Sequence, residues 1–105
     1  MPQRIYKLCL IRGYKEAYYQ LSDADKKALW DRVMKNIDQV GAKITTSTYN
    51  CRWSNDQYLQ WFTMDYPNIE SAIGDAAGAE AAELYRYLIS ETILGTEEVE
   101  QAAPQ

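Results

Sequence analysis

Arg4 to Arg12 reads RIYKLCLIR, and this stretch decides the fold. It is dense in Ile, Leu, Tyr and Cys and is followed by Gly13, so it is predicted as the first strand. Alternation puts Tyr6, Leu8 and Leu10 on one face. Ile5, Cys9 and Ile11 fall on the other, with Lys7 as the one polar intruder. Two apolar faces predict that both are covered.

A tyrosine-rich connector follows, from Tyr14 to Leu21. Ser22 is a good N-cap, and Asp23 and Asp25 in the first turn complement the helix dipole. The helix is predicted to run to about Val40, with Gly41 as its C′ residue. Leu29, Val33, Ile37 and Val40 form its apolar stripe, which Trp30 and Met34 widen. The β-branched and aromatic residues of Ala42 to Ser54 predict a second strand. Ser54-Asn55-Asp56 is a turn, and QYLQWFTMDY from Gln57 to Tyr66 is a third strand, so the two form a hairpin. Ile69 to Leu88 is helical by composition, with a break expected near Gly78. Ile89 to Thr96 is the fourth strand. Residues 1–96 are therefore expected to form one domain, with an acidic, mobile tail at 97–105.

This order, β-α-β-β-α-β, is the ferredoxin-like pattern: an α+β fold with a four-stranded antiparallel sheet, order 4-1-3-2, and both helices on one face. Strands lie about 4.8 Å apart, which puts Cys9 and Cys51 beyond the roughly 7 Å reach of an intrachain disulfide. Two buried free thiols are expected instead. The helices can cover only one sheet face. Strand 1 is apolar on both, and the third strand offers Leu59 and Trp61 opposite Phe62 and Met64. An apolar patch of that size needs a cover, so a homodimer with its sheets face to face is expected.

Composition narrows the function. The chain has 105 residues, fifteen acids against eleven bases, and a net charge of −4. Residues 1–67 hold ten bases and seven acids, whereas residues 68–105 hold one base and eight acids. An acidic chain is a poor partner for nucleic acid or an anionic membrane. Strand 1 resembles the first strand of an RNA-recognition motif, but Gln57 to Tyr66 contains no Lys or Arg to support that role. No apolar run is long enough for a membrane span, and Met1 to Leu10 lacks the pattern of a signal peptide. A cytoplasmic location is expected. There is no histidine, hence no Ser-His-Asp triad and no histidine ligand for zinc or haem. No cofactor and no metal are expected.

Ala17-Tyr18-Tyr19-Gln20-Leu21-Ser22 runs into the charged start of the first helix. Ala77-Gly78 precedes Leu84-Tyr85-Arg86-Tyr87-Leu88 and a strand that ends at Gly95. On these motifs and on element order, the chain resembles the dimeric α+β barrel superfamily, and within it a darcynin-like group. The resemblance implies two copies sharing a barrel. Superfamily members include cofactor-free oxygenases, isomerases, polyketide-type cyclases and haem enzymes, several of which rely on a histidine that this chain does not have.

Nine Tyr, three Trp and one Phe make up a heavy aromatic load. Tyr18, Tyr19, Trp30 and Trp61 are the candidate walls of a cavity between sheet and helices, suited to a small apolar or aromatic ligand. A filled core is the competing reading. Arg12, closing strand 1, is a candidate for a ligand carboxylate at the cavity mouth. Lys7 is expected to snorkel or to pair with Glu91 on the fourth strand. Asp65 and Glu91, the acids within the predicted strands, are a weak candidate for acid–base chemistry. Two functions remain: a homodimeric ligand-binding protein, or a cofactor-independent oxygenase, isomerase or cyclase acting on a polyketide-like substrate.

Overall fold

Residues 3–98 are described by the computed structural model, so the expected tail lies outside the described residues from position 99 onward. The fold is α+β. The first strand, β1 (Ile5–Tyr14), leads through a one-turn helix, α1 (Glu16–Tyr19), to the long helix α2 (Asp23–Gln39). Two short strands, β2 (Lys43–Ile44) and β3 (Tyr49–Asn50), precede β4 (Gln60–Tyr66). Helix α3 (Ile69–Ala81) and the final strand β5 (Leu88–Gly95) complete the chain. The sheet order is β2-β4-β1-β5, with β3 also paired to β4, and every pairing is antiparallel.

Local chemistry sets the ends of the helices. The Ser22 hydroxyl accepts the Asp25 amide at 3.1 Å and starts α2. Its C-terminus closes with Gly41 N donating to the Asp38 carbonyl at 3.1 Å and Ala42 N to the Ile37 carbonyl at 3.0 Å. This is a Schellman closure, and it needs the positive φ of 76° that Gly41 adopts without strain. Asn68 caps α3 in the same way, accepting the Ser71 amide at 2.8 Å.

Three expectations are corrected. Strand 1 does not stop at Gly13. A register shift between Ile11 and Gly13 lets β1 continue and turns Tyr14 onto the same face as Ile11, opposite Leu88. The strand predicted over 42–54 survives only as β2 and β3. Between them the Thr46 hydroxyl takes the Thr63 amide at 2.9 Å, so a side chain replaces the backbone ladder. Asn55 acts likewise further on. Its Oδ1 accepts the amides of Gln57 and Tyr58 at 2.8 and 2.6 Å, and β4 starts only at Gln60. The break expected near Gly78 falls beyond Ala81, where Glu83 takes a left-handed φ of 56°. Gly74 and Gly78 serve packing instead. A Cβ on Gly74 would meet Val40 at 3.0 Å, and one on Gly78 would overlap the Asn36 side chain. The two glycines let α3 lie close against α2.

The helices cover one face of the sheet, as their number predicts. The core lies on the helix side of the sheet, where Ile5, Met64 and Tyr66 pack against Ile37, Ala42 and Ala72. Cys9, Ile11 and Leu88 form a second nucleus beside Trp30 and Phe62. The other face, with Tyr6, Leu8, Leu10, Trp61 and Ile93, has no cover among the described residues, and Ile93 is 59% exposed.

Candidate functional site

Between the sheet and the helices the two core nuclei do not close completely. They leave a cleft of about 530 Å³. Odd positions of β1 (Lys7, Cys9 and Ile11) and even positions of β4 and β5 form its sheet wall. Trp30, Val33 and Ile37 of α2 face them, and α3 supplies Asp75, Ala76 and Ala79. Met34 and Ile44, 50% and 39% exposed, stand at its outer side. Apolar walls with a few fixed polar groups are the usual make-up of a small-molecule site.

The polar end is built by three residues from three elements. Lys7 Nζ donates to Asp75 Oδ2 at 3.2 Å, and the Tyr66 hydroxyl makes a short bond to the same oxygen. The Lys7 ammonium also lies 5.5 Å from the centre of the Tyr66 ring. Asp75 is buried at 6% exposure, and the pair it forms with Lys7 keeps that carboxylate matched. Burial, reinforced by the bond to Asp75, pushes the Tyr66 hydroxyl far above the usual phenol range. Burial also raises the Cys9 thiol, against the nearby Lys7, which lowers it.

The residues picked from sequence separate into three places. Trp30 lines the cleft. Tyr18 stands behind it, accepting the Trp30 indole N–H at 3.0 Å and stacking on Tyr14 with ring centres 4.7 Å apart. Tyr14, which sequence reading left in the connector, is the tyrosine that lines the cleft, and its hydroxyl donates to Gln60 at 3.3 Å. Tyr19 packs edge-on against Tyr18 but is 61% exposed. Trp61 is not part of this site: its odd position on β4 turns it onto the open face, against Tyr49 with centres 5.0 Å apart.

Arg12 is corrected in the same way. It sits on the open face, paired with Glu91 at 2.8 Å and over the Tyr58 ring, not at the cleft mouth. Tyr58 donates to the same Glu91 at 2.7 Å. Glu91 is thus committed to Arg12, and the partner of Lys7 is Asp75. Asp65 pairs with Arg4 at 3.1 Å on the far side of β1 from Glu91, so those two acids do not form a unit. Cys9 and Cys51 are both free thiols. Among the described residues, no three His, Cys, Asp or Glu side chains gather closely enough to hold a metal ion. No helix there is long and apolar enough to cross a membrane.

An antiparallel α+β fold is also that of the solved structures this chain is similar to. One is a protein of unknown function from Rhodopseudomonas palustris, RPA0582, with a TM-score of 0.63 and 14% identity over 93% of this chain and 85% of that one. The methylated RPA0582 protein gives 0.62 and 13% identity, over 96% and 86% of the two chains. At these identities the likeness is one of fold. No protein-family model matches the sequence, and no curated protein matches it.

Proposed function

We propose that this chain is a homodimeric, ferredoxin-like half-barrel that binds a small apolar or aromatic molecule between its sheet and its helices. The observation that carries the reading is the cleft of about 530 Å³, mostly apolar along its walls and with a charged pair at one end. Its size lies within the range of about 300–1,000 Å³ common to ligand sites. The barrel and its darcynin-like character rest on the motifs around Tyr18 and Leu84 and on the likeness of fold. The dimer rests on the open face. There Leu8, Leu10, Trp61 and Ile93 form an apolar centre, and the ion pairs Arg4–Asp65 and Arg12–Glu91 stand to either side. An apolar centre with a charged margin is how protein interfaces are built.

Native mass spectrometry of the purified protein, before and after denaturing extraction, tests both parts. A dimer that releases a compound of low mass is expected. Replacing Leu10 by Asp should give monomers, because its side chain lies on the open face and away from the cleft. A ligand-free protein that also ignores a panel of aromatic compounds and lipids refutes the binding reading, and a monomer at micromolar concentration refutes the dimer.

The second reading, a cofactor-independent oxygenase, isomerase or cyclase on a polyketide-like substrate, is favoured by one observation. A carboxylate, an ammonium and a thiol (Asp75, Lys7 and Cys9) share the cleft. Turnover of β-keto or hydroxyquinone substrates that Asp75→Asn abolishes would support it. No turnover of either class leaves the binding reading alone.

A further inference from the structure

We infer that the cleft selects a ligand carrying a neutral hydroxyl, a phenol or an alcohol, and that this hydroxyl bridges Asp75 and Lys7. The inference rests on the binding reading above and names the chemical class of its ligand.

Charge decides against an anion. Among the described residues lining the cleft, Lys7 and Asp75 are the one cation and the one anion, and at 3.2 Å they neutralise each other. A carboxylate placed there would meet a pair with no net charge and an Asp75 that repels it, so its own charge would be buried without a counter-charge. Arg12 cannot supply the missing cation, because it is engaged with Glu91 on the opposite face.

Hydrogen-bonding capacity then picks the group. Both bonds to Asp75, from Lys7 and from Tyr66, fall on Oδ2, and among the described residues Oδ1 has no partner. The Lys7 ammonium carries three N–H groups and uses one of them on Asp75. An unused acceptor therefore lies beside unused donors. One hydroxyl satisfies both, donating to Asp75 Oδ1 and accepting from Lys7 Nζ. The protein already pairs this carboxylate with a neutral phenol of its own, Tyr66. Beyond this end Cys9, Ile11, Phe62, Trp30 and Val33 supply most of the wall, interrupted by Gln60, Ser90 and Thr92, and suit an aromatic or alicyclic body.

Isothermal titration calorimetry of the full chain near neutral pH, with 2-naphthol, 2-naphthoate and 2-methoxynaphthalene, tests this. The three probes share a ring system and differ in the head group. Naphthol should bind about tenfold or more tighter than either of the others, the size expected for hydrogen bonds to charged groups. Asp75→Asn leaves Lys7 unneutralised and should shift the preference to naphthoate. Lys7→Gln keeps the anion and should still reject naphthoate. Circular dichroism checks that each variant folds, and if Asp75→Asn does not, the wild-type ratios and Lys7→Gln decide. Naphthoate binding as tightly as naphthol to the wild type overturns the inference and leaves the binding reading standing. So does methoxynaphthalene matching naphthol, because the hydroxyl is then not read. Failure of all three probes alongside the whole aromatic and lipid panel removes the binding reading, and this inference with it.

Discussion

Replacing Asp75 by alanine breaks two bonds inside the core at once. The Lys7 ammonium, whose side chain is 17% exposed, loses its anion, and a hydrogen bond to a charged group contributes about 1.5–3 kcal/mol. The Tyr66 hydroxyl, on a residue only 1% exposed, loses its acceptor, at a cost of about 1–3 kcal/mol. Two effects soften the loss. Water can enter from the cleft, and the Met64 sulfur, 3.9 Å from the Tyr66 hydroxyl, is a weak substitute acceptor. A net destabilisation of about 3–4 kcal/mol is expected, a large part of the roughly 5–15 kcal/mol that hold a domain folded. In urea, with a slope near 1.5 kcal/mol per molar, the midpoint should fall by about 2 M. Lys7→Met keeps the aliphatic stem and removes the charge, and should cost about 2 kcal/mol because Asp75 retains Tyr66. The double variant leaves no stranded charge, so it should cost less than the two single changes together by about 1.5–2 kcal/mol. If the single changes add to within about 0.5 kcal/mol, or Asp75→Ala costs less than about 1 kcal/mol, the buried pair is not what holds this end of the cleft.

Gly78→Ala should lower stability by about 2 kcal/mol in thermal or urea unfolding, since its Cβ overlaps Asn36. Adding Asn36→Ala should recover most of that loss, and no recovery would mean that the helices do not meet there. The raised pKa of Tyr66 favours the neutral phenol in the native state, so its contribution is complete below the ordinary value near 10 and is lost as pH climbs past it. Wild-type urea midpoints should therefore fall more steeply above that pH than those of Tyr66→Phe, and equal slopes would contradict the assigned burial. Maleimide should label half-buried Cys51 before Cys9, which is 8% exposed and has a thiol raised by burial. A cleft ligand should slow Cys9 alone, and equal protection of both thiols would place the ligand elsewhere.

Much of the fold was legible because its signals are local. The Ser22 cap, the Gly41 closure and the run of β1 each depend on a few neighbouring residues, and each falls within two positions of its expected place. The strand over 42–54 was not legible in the same way. Threonine favours strands by propensity, yet Thr46 here spends its hydroxyl on a neighbouring strand's amide, and only the tertiary pairing with Thr63 decides between those uses. Gly78 was misread for a related reason. A glycine in a helix costs stability when seen alone, but opposite Asn36 the absence of a side chain is what permits close packing. Trp61 is a different matter, since the alternation of β4 alone separates it from Phe62 and therefore from the cleft.

Asp75 is the residue that sequence reading missed, although one signal marked it. It lies in a helix of alanines and glutamates, where a single acid passes for part of a solvated face. Yet Ala72, Asp75, Ala79 and Ala82 follow one another at helical spacings of three and four, and Ala72, Asp75 and Ala82 are all buried. An acid set into a buried stripe must find a cation or a donor, and a lysine set into an apolar strand must find an anion. Lys7 and Asp75 are 68 residues apart, so no local pattern joins them. Each is anomalous in its own element, and antiparallel pairing with helices on one face brings those two elements together. The two anomalies taken together point to the polar end of the cleft, where the aromatic residues, spread over both faces of the sheet, do not.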